Sequence, residues 1–376
     1  MSLTQTRVKA GCSSSSSSTS SAIYSLPLTG AVTPPSETAL MKQPLQPSGE
    51  LASQRRTRLT PAIGVKFHDL RLREVLDMPD KLKQRAILSD LAYEISLNGV
   101  AFFSNQDDVS ADDLGRLALL LGEPAGKGDA SLHIHPTQEL GENGLPIGKI
   151  SNVADKDGRQ ISFVDERSAI SSINWHSDIT FEPRPANFSL LKMHTLPETG
   201  GDTLFSSAYS HYDALSPAMK TFLSTLTATH EADMFRIQSQ RHGFKLHTAP
   251  RGAPENVGDH LRASHPVIRT NPTTGFNGLF VNQCFTTKID QLTFDESKSL
   301  LAYLFMLQAQ SHDAQVRYRW EKHDLAIWDN RSTNHAATFD YDELRQGDRA
   351  VCVGEVPYFD PNAIGRKELL NSQAKA

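Results

Sequence analysis

The sequence predicts a mainly β fold with packed helices, and three observations carry that prediction. Apolar residues run continuously over 100–103 and 325–328 and alternate with polar residues over 315–320, as expected of short buried or half-buried strands. These strands are too irregularly spaced for a series of βαβ units. The chain also shows no internal repeat. An antiparallel sandwich or barrel with helices packed against it is therefore favoured.

The first 60 residues read as a Ser/Pro-rich tail. Serine fills 13–21 except at Thr19, and frequent prolines follow. Such a segment cannot bury enough apolar surface to offset the entropy lost on ordering. We therefore predict a disordered tail over 1–60 and one folded domain over 61–376. No acidic residue precedes Glu37, which is a weak match to an organellar transit peptide.

Two helices can be predicted inside the folded domain. Apolar residues recur every three or four positions over 81–97, which indicates a helix, and Gly99 is expected to end it. Thr293 followed by Glu296 has the spacing of a capping box. It predicts a second helix whose apolar face begins near Leu300.

Length and charge exclude several classes of protein. The chain has 376 residues, with 38 basic and 43 acidic side chains and a net charge of −5. It has no run of about 18 apolar residues that could span a bilayer and no long basic block typical of a nucleic-acid binder. Three widely separated cysteines favour a reducing compartment. We expect a soluble cytoplasmic protein without a membrane or nucleic-acid partner.

The segment 174–181 is the most informative for chemistry. In a strand, residues two apart share one face, so His176 and Asp178 could point together into a barrel mouth. The pattern also fits an ordinary hydrogen bond between a histidine and an aspartate. His335, just after an apolar strand, is the candidate third ligand. Two histidines and one carboxylate would form an iron-binding face that leaves positions open for a co-substrate and dioxygen.

The chain resembles the taurine dioxygenase family, and in particular the fungal-type alpha-ketoglutarate-dependent sulfonate dioxygenases. The resemblance rests on four segments in the family's order: WHSD at 175–178, LPETGGDT at 196–203, LFVN at 279–282 and IWDNR at 327–331. Members are Fe(II)- and 2-oxoglutarate-dependent oxygenases on a double-stranded β-helix, a cupin-like jelly roll. The resemblance runs from about residue 64 to 359, so it implies this fold and a catalytic domain for the whole folded part.

The resemblance also implies roles for individual residues. The family's iron ligands match His176, Asp178 and His335. Thr203 matches the hydroxyl that hydrogen-bonds the distal carboxylate of 2-oxoglutarate, and Arg345 matches the arginine that pairs with it. Either Arg345 or Arg349 could take the oxoglutarate by position. Arg345 is preferred, because the two arginines keep the family's four-residue separation.

A substrate subsite is implied in the same way. In sulfonate-cleaving members, a histidine and the second C-terminal arginine bind the sulfonate, and His135 and Arg349 match them. A three-oxygen anion suits one guanidinium and one imidazole. Gln138 and Ser172 depart from the taurine enzyme, which leaves other alkylsulfonates and sulfate esters open. Apolar pocket positions of the relatives match Ile179, Phe181 and Phe285, and less closely Phe235.

The implied reaction belongs to sulfur metabolism. Fe(II), 2-oxoglutarate as co-substrate and O2 would hydroxylate the carbon next to the sulfo group, with release of sulfite or sulfate, an aldehyde, succinate and CO2. A same-fold oxygenase that hydroxylates a carboxylate or amino acid in specialised metabolism is the alternative. A non-catalytic binding protein is a third possibility. Relatives commonly form homo-oligomers, and the polar loop at 241–259 is either a lid or a plain surface loop.

Overall fold

In a computed structural model of the chain, the described residues are 43–138, 146–152 and 171–373. Their fifteen strands are β1 (Arg56–Arg58), β2 (Val65–Phe67), β3 (Val100–Phe103), β4 (Gly148–Ser151), β5 (Ala186–Thr195), β6 (Thr203–Ser207), β7 (Thr227–Glu231), β8 (Arg262–Pro266), β9 (Ile268–Thr270), β10 (Asn277–Leu279), β11 (Thr286–Ile289), β12 (Gln315–Tyr318), β13 (Leu325–Asp329), β14 (Thr333–Ala337) and β15 (Gln346–Val353).

Eight α-helices occur in the same described part of the chain. They are α1 (Leu72–Leu76), α2 (Lys81–Asn98), α3 (Ala111–Gly122), α4 (Ala208–Ala214), α5 (Pro217–Leu223), α6 (Asp233–His242), α7 (Phe294–Gln310) and α8 (Arg366–Gln373). Both predicted helices are confirmed. The Asp80 carboxylate accepts from two amides at the start of α2, and Thr293 with Glu296 forms the expected capping box of α7.

A seven-stranded sheet organises the core, in the order β1-β2-β3-β13-β5-β15-β4. All its pairs are antiparallel except β2 with β3. A three-stranded sheet, β12-β6-β14, packs against one face, and helices α1 to α3 pack against the other. The prediction of a mainly β fold with packed helices is confirmed, although the described strands do not close into a continuous barrel.

The continuous apolar runs belong to strands that are buried on both faces. In β3, Ala101 and Phe103 pack in the cluster with the helices, whereas Val100 and Phe102 pack in the cluster with the second sheet. The Phe102 ring stacks on Tyr318 of β12, with 3.7 Å between centroids. Neither face of such a strand requires polar residues, because neither meets water.

The boundary predicted at residue 60 stays a prediction. Residues 1–42 lie outside the described part of the chain, and so does any transit peptide there. Between 43 and 60 the structure has β1 and a turn in which the amides of Ser48 and Gly49 donate to the Asp90 carboxylate at 2.6 and 3.0 Å. No helix of the described residues is long and apolar enough to cross a membrane.

Candidate active site

A reciprocal backbone bridge brings two histidines side by side. The amide of His176 donates to the carbonyl of His335 at 3.0 Å, and the amide of His335 donates back at 2.7 Å. Their rings lie 4.2 Å apart. His176 makes this single bridge and does not belong to a regular strand, but Ser177 still points away, since its hydroxyl donates to the Asn330 carbonyl. One ligand atom each from His176, Asp178 and His335 lies within 4.8 Å of the others.

Both imidazoles suit a metal. The Nδ1 of His176 lies 2.6 Å from the Asn174 carbonyl, which can only accept, so Nδ1 carries the proton and Nε2 offers its lone pair. Burial, and then the neighbouring His176, lowers the pKa of His335 to about 3. A metal needs a neutral imidazole, and burial keeps His335 neutral at physiological pH.

The Asp178 carboxylate is held in one orientation. Its Oδ2 accepts from the Ser189 hydroxyl at 2.6 Å, and Ser189 in turn accepts from the Asn330 amide nitrogen at 2.8 Å. The other oxygen, Oδ1, lies 3.6 Å from Nε2 of His176. Burial alone would raise the pKa of Asp178, but the charge of Arg349 outweighs it and holds that pKa well below its usual range.

A second polar cluster, here called the cradle, is formed by Arg345 and the turn that leads into Thr203. Arg345 is 3% exposed; its Nε donates to the Gly201 carbonyl at 2.9 Å, and its Nη2 has no hydrogen-bond partner among the described residues. The Thr203 hydroxyl accepts from the Trp320 indole N–H at 3.0 Å, which leaves its own proton free to donate. An unpaired buried donor is costly, so this cradle fits a bound carboxylate.

The turn before Thr203 is shaped to receive Arg345. Gly201 has φ of +69°, and a Cβ there would lie 2.9 Å from Cδ of Arg345. The Gly201 amide donates to the Asp340 carboxylate at 3.0 Å. Arg317 bridges that carboxylate, at 3.0 Å, and the carboxylate of Asp202, at 2.6 Å. These bonds join the loop 196–202 to the loop 338–345, and these two loops form the cradle.

The predicted substrate residues Arg349 and His135 lie near the metal residue Asp178. Arg349, in β15, places Nη1 3.3 Å from Oδ1 of Asp178. The Thr137 amide donates to Nδ1 of His135 at 3.3 Å, so the proton of a neutral His135 is on Nε2. Burial, reinforced by Arg349, holds the pKa of His135 well below its usual value. His135 is thus a neutral N–H donor and Arg349 a cationic one.

Three phenylalanines form an apolar wall from His135 to His176. Phe181 lies 5.7 Å from Phe235 and 5.2 Å from Phe285, measured between ring centroids. At the ends of the wall, His135 lies 4.7 Å from Phe235, and His176 lies 5.8 Å from Phe285. All three phenylalanines are at most 4% exposed. Ile179 packs in the same cluster.

Sequence reasoning missed several residues that orient the site. Ser189 had no local signal, because an isolated serine in an apolar strand is unremarkable. Asn330 is part of the IWDNR segment, but its amide acts on Ser189 across 141 residues. The alternation over 315–320 predicts only a strand at Trp320, but β12 ends at Tyr318 and the Trp320 indole N–H donates to the Thr203 hydroxyl.

The chain matches the family described as "Taurine catabolism dioxygenase TauD, TfdA family" over residues 55–353. The chain belongs to this family. An alpha-ketoglutarate-dependent dioxygenase of Neocamarosporium betae is 38% identical over 348 residues, 88% of this chain and 99% of that protein. An alpha-ketoglutarate-dependent sulfonate dioxygenase of Saccharomyces cerevisiae is 32% identical over 286 residues, 76% of this chain and 63% of that protein.

Solved structures of the TauD, TfdA type confirm the predicted jelly-roll fold. A taurine dioxygenase from Burkholderia xenovorans superposes with a TM-score of 0.62 at 24% identity, over 84% of this chain and 93% of that one. The predicted family, fold class and enzyme class are all confirmed. As a TauD, TfdA family member, the chain is a dioxygenase that uses Fe(II), 2-oxoglutarate as co-substrate and O2.

Proposed function

We propose that this dioxygenase hydroxylates the carbon next to the sulfo group of an organosulfonate or sulfate ester, releasing sulfite or sulfate and an aldehyde together with succinate and CO2. The observation that carries the proposal is the placement of two donors at an apolar wall: Arg349 contacts Asp178, and His135 packs on Phe235 at the far end of the wall from His176. One guanidinium and one imidazole suit a three-oxygen anion, and the wall suits its carbon chain.

We assign Fe(II) to His176, Asp178 and His335. The set contains two imidazoles and one carboxylate, the ligands of non-haem iron oxygenases. Bound Fe(II), with 2-oxoglutarate and O2, supplies the oxidation that forms succinate and transfers one oxygen atom to the substrate. Ser189 and Asn330 keep Oδ1 of Asp178 directed at the metal side, because Oδ2 is already hydrogen-bonded.

We assign the distal carboxylate of 2-oxoglutarate to Arg345 and Thr203. The unpaired Nη2 of Arg345 and the free hydroxyl proton of Thr203 are two donors for one anion. Charge-assisted hydrogen bonds of this kind are short and strong. Arg349 is a poorer candidate for this carboxylate, because its guanidinium contacts Asp178 at 3.3 Å.

The substrate anchors position the target carbon and exclude water. An anion held by His135 and Arg349 would direct its carbon chain along Phe181, Phe285 and Ile179 toward the metal residues. Holding reacting groups in one geometry is a large part of enzymatic rate enhancement. The apolar wall keeps solvent from the reacting carbon.

A screen of substrates tests the proposal. The protein is reconstituted without oxygen with Fe(II) and 2-oxoglutarate, then exposed to air with single sulfonates or sulfate esters. Succinate with sulfite supports sulfonate cleavage, and succinate with sulfate supports cleavage of an ester. We expect His135→Ala to raise the KM of the accepted substrate about five- to tenfold, as for one buried hydrogen bond. An unchanged KM would remove the basis for an anionic sulfur substrate.

The alternative is a carboxylate or amino acid substrate in specialised metabolism. It is favoured by Gln138 and Ser172, which depart from the taurine enzyme, and by the higher identity to a dioxygenase whose name states no sulfonate. It predicts succinate with neither sulfite nor sulfate. The homo-oligomer and the cytoplasmic location stay predictions, which light scattering and fractionation can test.

A further inference from the structure

Three titratable side chains outside the metal set are buried together. His133, Glu182 and Arg251 each have side chains that are 1% exposed. Arg251 donates through Nε and Nη2 to the two oxygens of Glu182, at 2.5 and 2.8 Å, and Nε2 of His133 lies 3.0 Å from Oε1. Burial alone would raise the pKa of Glu182, but the hydrogen bonds from Arg251 and His133 outweigh it and keep that carboxylate ionised.

These side chains come from three separate segments, two of which also carry proposed substrate residues. His133 lies two residues before His135. Glu182 follows Phe181 of the apolar wall, and Arg251 lies in the loop 243–261. Arg251 also closes that loop on itself, because its Nη1 donates to the carbonyls of His247 and Gly258 at 2.9 and 2.8 Å.

The loop lies directly on the segment that carries His135. The Ser131 amide donates to the Gly252 carbonyl at 2.8 Å, and the His247 amide donates to the Pro136 carbonyl at 2.8 Å. These two bonds lie on either side of His135. Gly252 has φ of +87°, and a Cβ there would lie 2.6 Å from the Leu132 carbonyl oxygen. The contact therefore has no room for a side chain.

We propose that Arg251 is a positioning residue for the substrate subsite, which fixes the loop 243–261 against the segment 131–136 and thereby fixes where His135 presents its N–H. The argument rests on the proposed function of His135. Replacing a buried ion pair by apolar residues often leaves stability unchanged, so the geometric role of this pair is the more specific one. The loop is then a fixed support of the segment that carries His135.

The central experiment compares Arg251→Lys with wild type. Lysine keeps the charge beside Glu182 but cannot reproduce the two-pronged contact and the two carbonyl bonds. We expect the KM of the accepted sulfonate or sulfate ester to rise about five- to tenfold, with the co-substrate KM and the affinity for Mn(II) unchanged. Arg269→Lys is the control, since Arg269 is also buried and paired with a glutamate, in the β9 strand.

A glycine pair tests the same contact without touching the ion pair. Gly252→Ala pushes the loop off the Leu132 carbonyl, whereas Gly243→Ala, at φ of +72° in the same loop, meets nothing within 4 Å. Both carry the penalty of a side chain at positive φ. We expect only Gly252→Ala to raise the substrate KM. Equal effects of the two alanines, or an unchanged KM in Arg251→Lys, would overturn the positioning role.

Hydrogen–deuterium exchange separates this inference from the proposed function. Arg251→Lys should speed exchange in peptides that contain Ser131 and His247, at least threefold over Arg269→Lys, whether or not any sulfonate is accepted. Unchanged exchange there overturns the inference while leaving the substrate assignment intact. A wild type that forms no succinate with any sulfonate or sulfate ester overturns the proposed function, and the exchange rates then decide the positioning role alone.

Discussion

Two arginines four residues apart, Arg345 and Arg349, differ in the hydrogen bonds of their guanidinium groups. Arg345 precedes β15, is buried, and has one terminal nitrogen without a partner among the described residues. Arg349 lies inside β15, and its terminal nitrogen contacts the Asp178 carboxylate. The first is an open donor in a cradle that is fastened by its own loops. The second already shares its charge with the candidate metal ligand.

The difference separates the two proposed anion sites. The hydrogen bonds that hold the cradle around Arg345 involve none of the metal residues, so substitutions there should leave metal binding unchanged. The subsite around Arg349 is electrostatically tied to Asp178, so substitutions there should change both substrate binding and metal binding. Preorganised donors lose little freedom on binding, which suits a co-substrate common to every turnover.

Removing the Asp178 carboxylate, the one anionic member of the proposed metal set, should have the largest effect. We expect Asp178→Ala to lower succinate formation by roughly a thousandfold or more, because the metal loses its only anionic protein ligand and Arg349 loses its partner. Ser177→Ala is the matched control, since that side chain points away from the site. Turnover retained in Asp178→Ala, with the circular dichroism spectrum unchanged, would contradict the metal assignment.

Replacing Arg345, the arginine with an unpaired Nη2, should give the next largest effect. We expect Arg345→Gln to raise the co-substrate KM about tenfold to a hundredfold, as for a charge-assisted hydrogen bond to the 2-oxoglutarate carboxylate. The affinity for Mn(II), followed by titration calorimetry, should stay at the wild-type value. A shift in metal affinity of similar size would erase the distinction between the two arginines.

Replacing Arg349, which contacts Asp178, should affect both substrate binding and metal binding. We expect Arg349→Gln to raise the substrate KM about tenfold and also to tighten Mn(II) binding, because a cation that competes for Asp178 has been removed. The co-substrate KM should be nearly unchanged. If Arg349→Gln instead weakened the binding of 2-oxoglutarate alone, the roles of the two arginines would have to be exchanged.

The sequence predicts the candidate metal ligands but not the residues that orient them. His176, Asp178 and His335 stand in recognisable segments, and the apolar runs predict β3 and β13. The contacts that orient the site join distant parts of the chain. The Asn330 side-chain amide donates to Ser189, 141 residues away, and the Arg345 backbone amide donates to the Asn152 side chain, 193 residues away. No local pattern encodes such pairs, because a single serine, asparagine or arginine has many possible partners. The ion pair of Arg251 with Glu182 is equally unpredictable, because no sequence pattern relates two residues 69 positions apart.

The smallest predicted effect concerns the fastening of the cradle around Arg345. Arg317 bridges Asp202 and Asp340 but its side chain is 53% exposed, so solvent screening limits the bridge to at most about 1 kcal/mol. We expect Arg317→Gln to raise the co-substrate KM only about two- to fivefold, with kcat and the substrate KM unchanged. Arg55→Gln is the control, since Arg55 is an exposed arginine that donates to the Asp69 carboxylate at 2.8 and 3.0 Å, outside the cradle. Equal effects in both variants would show that the cradle holds its shape without this bridge.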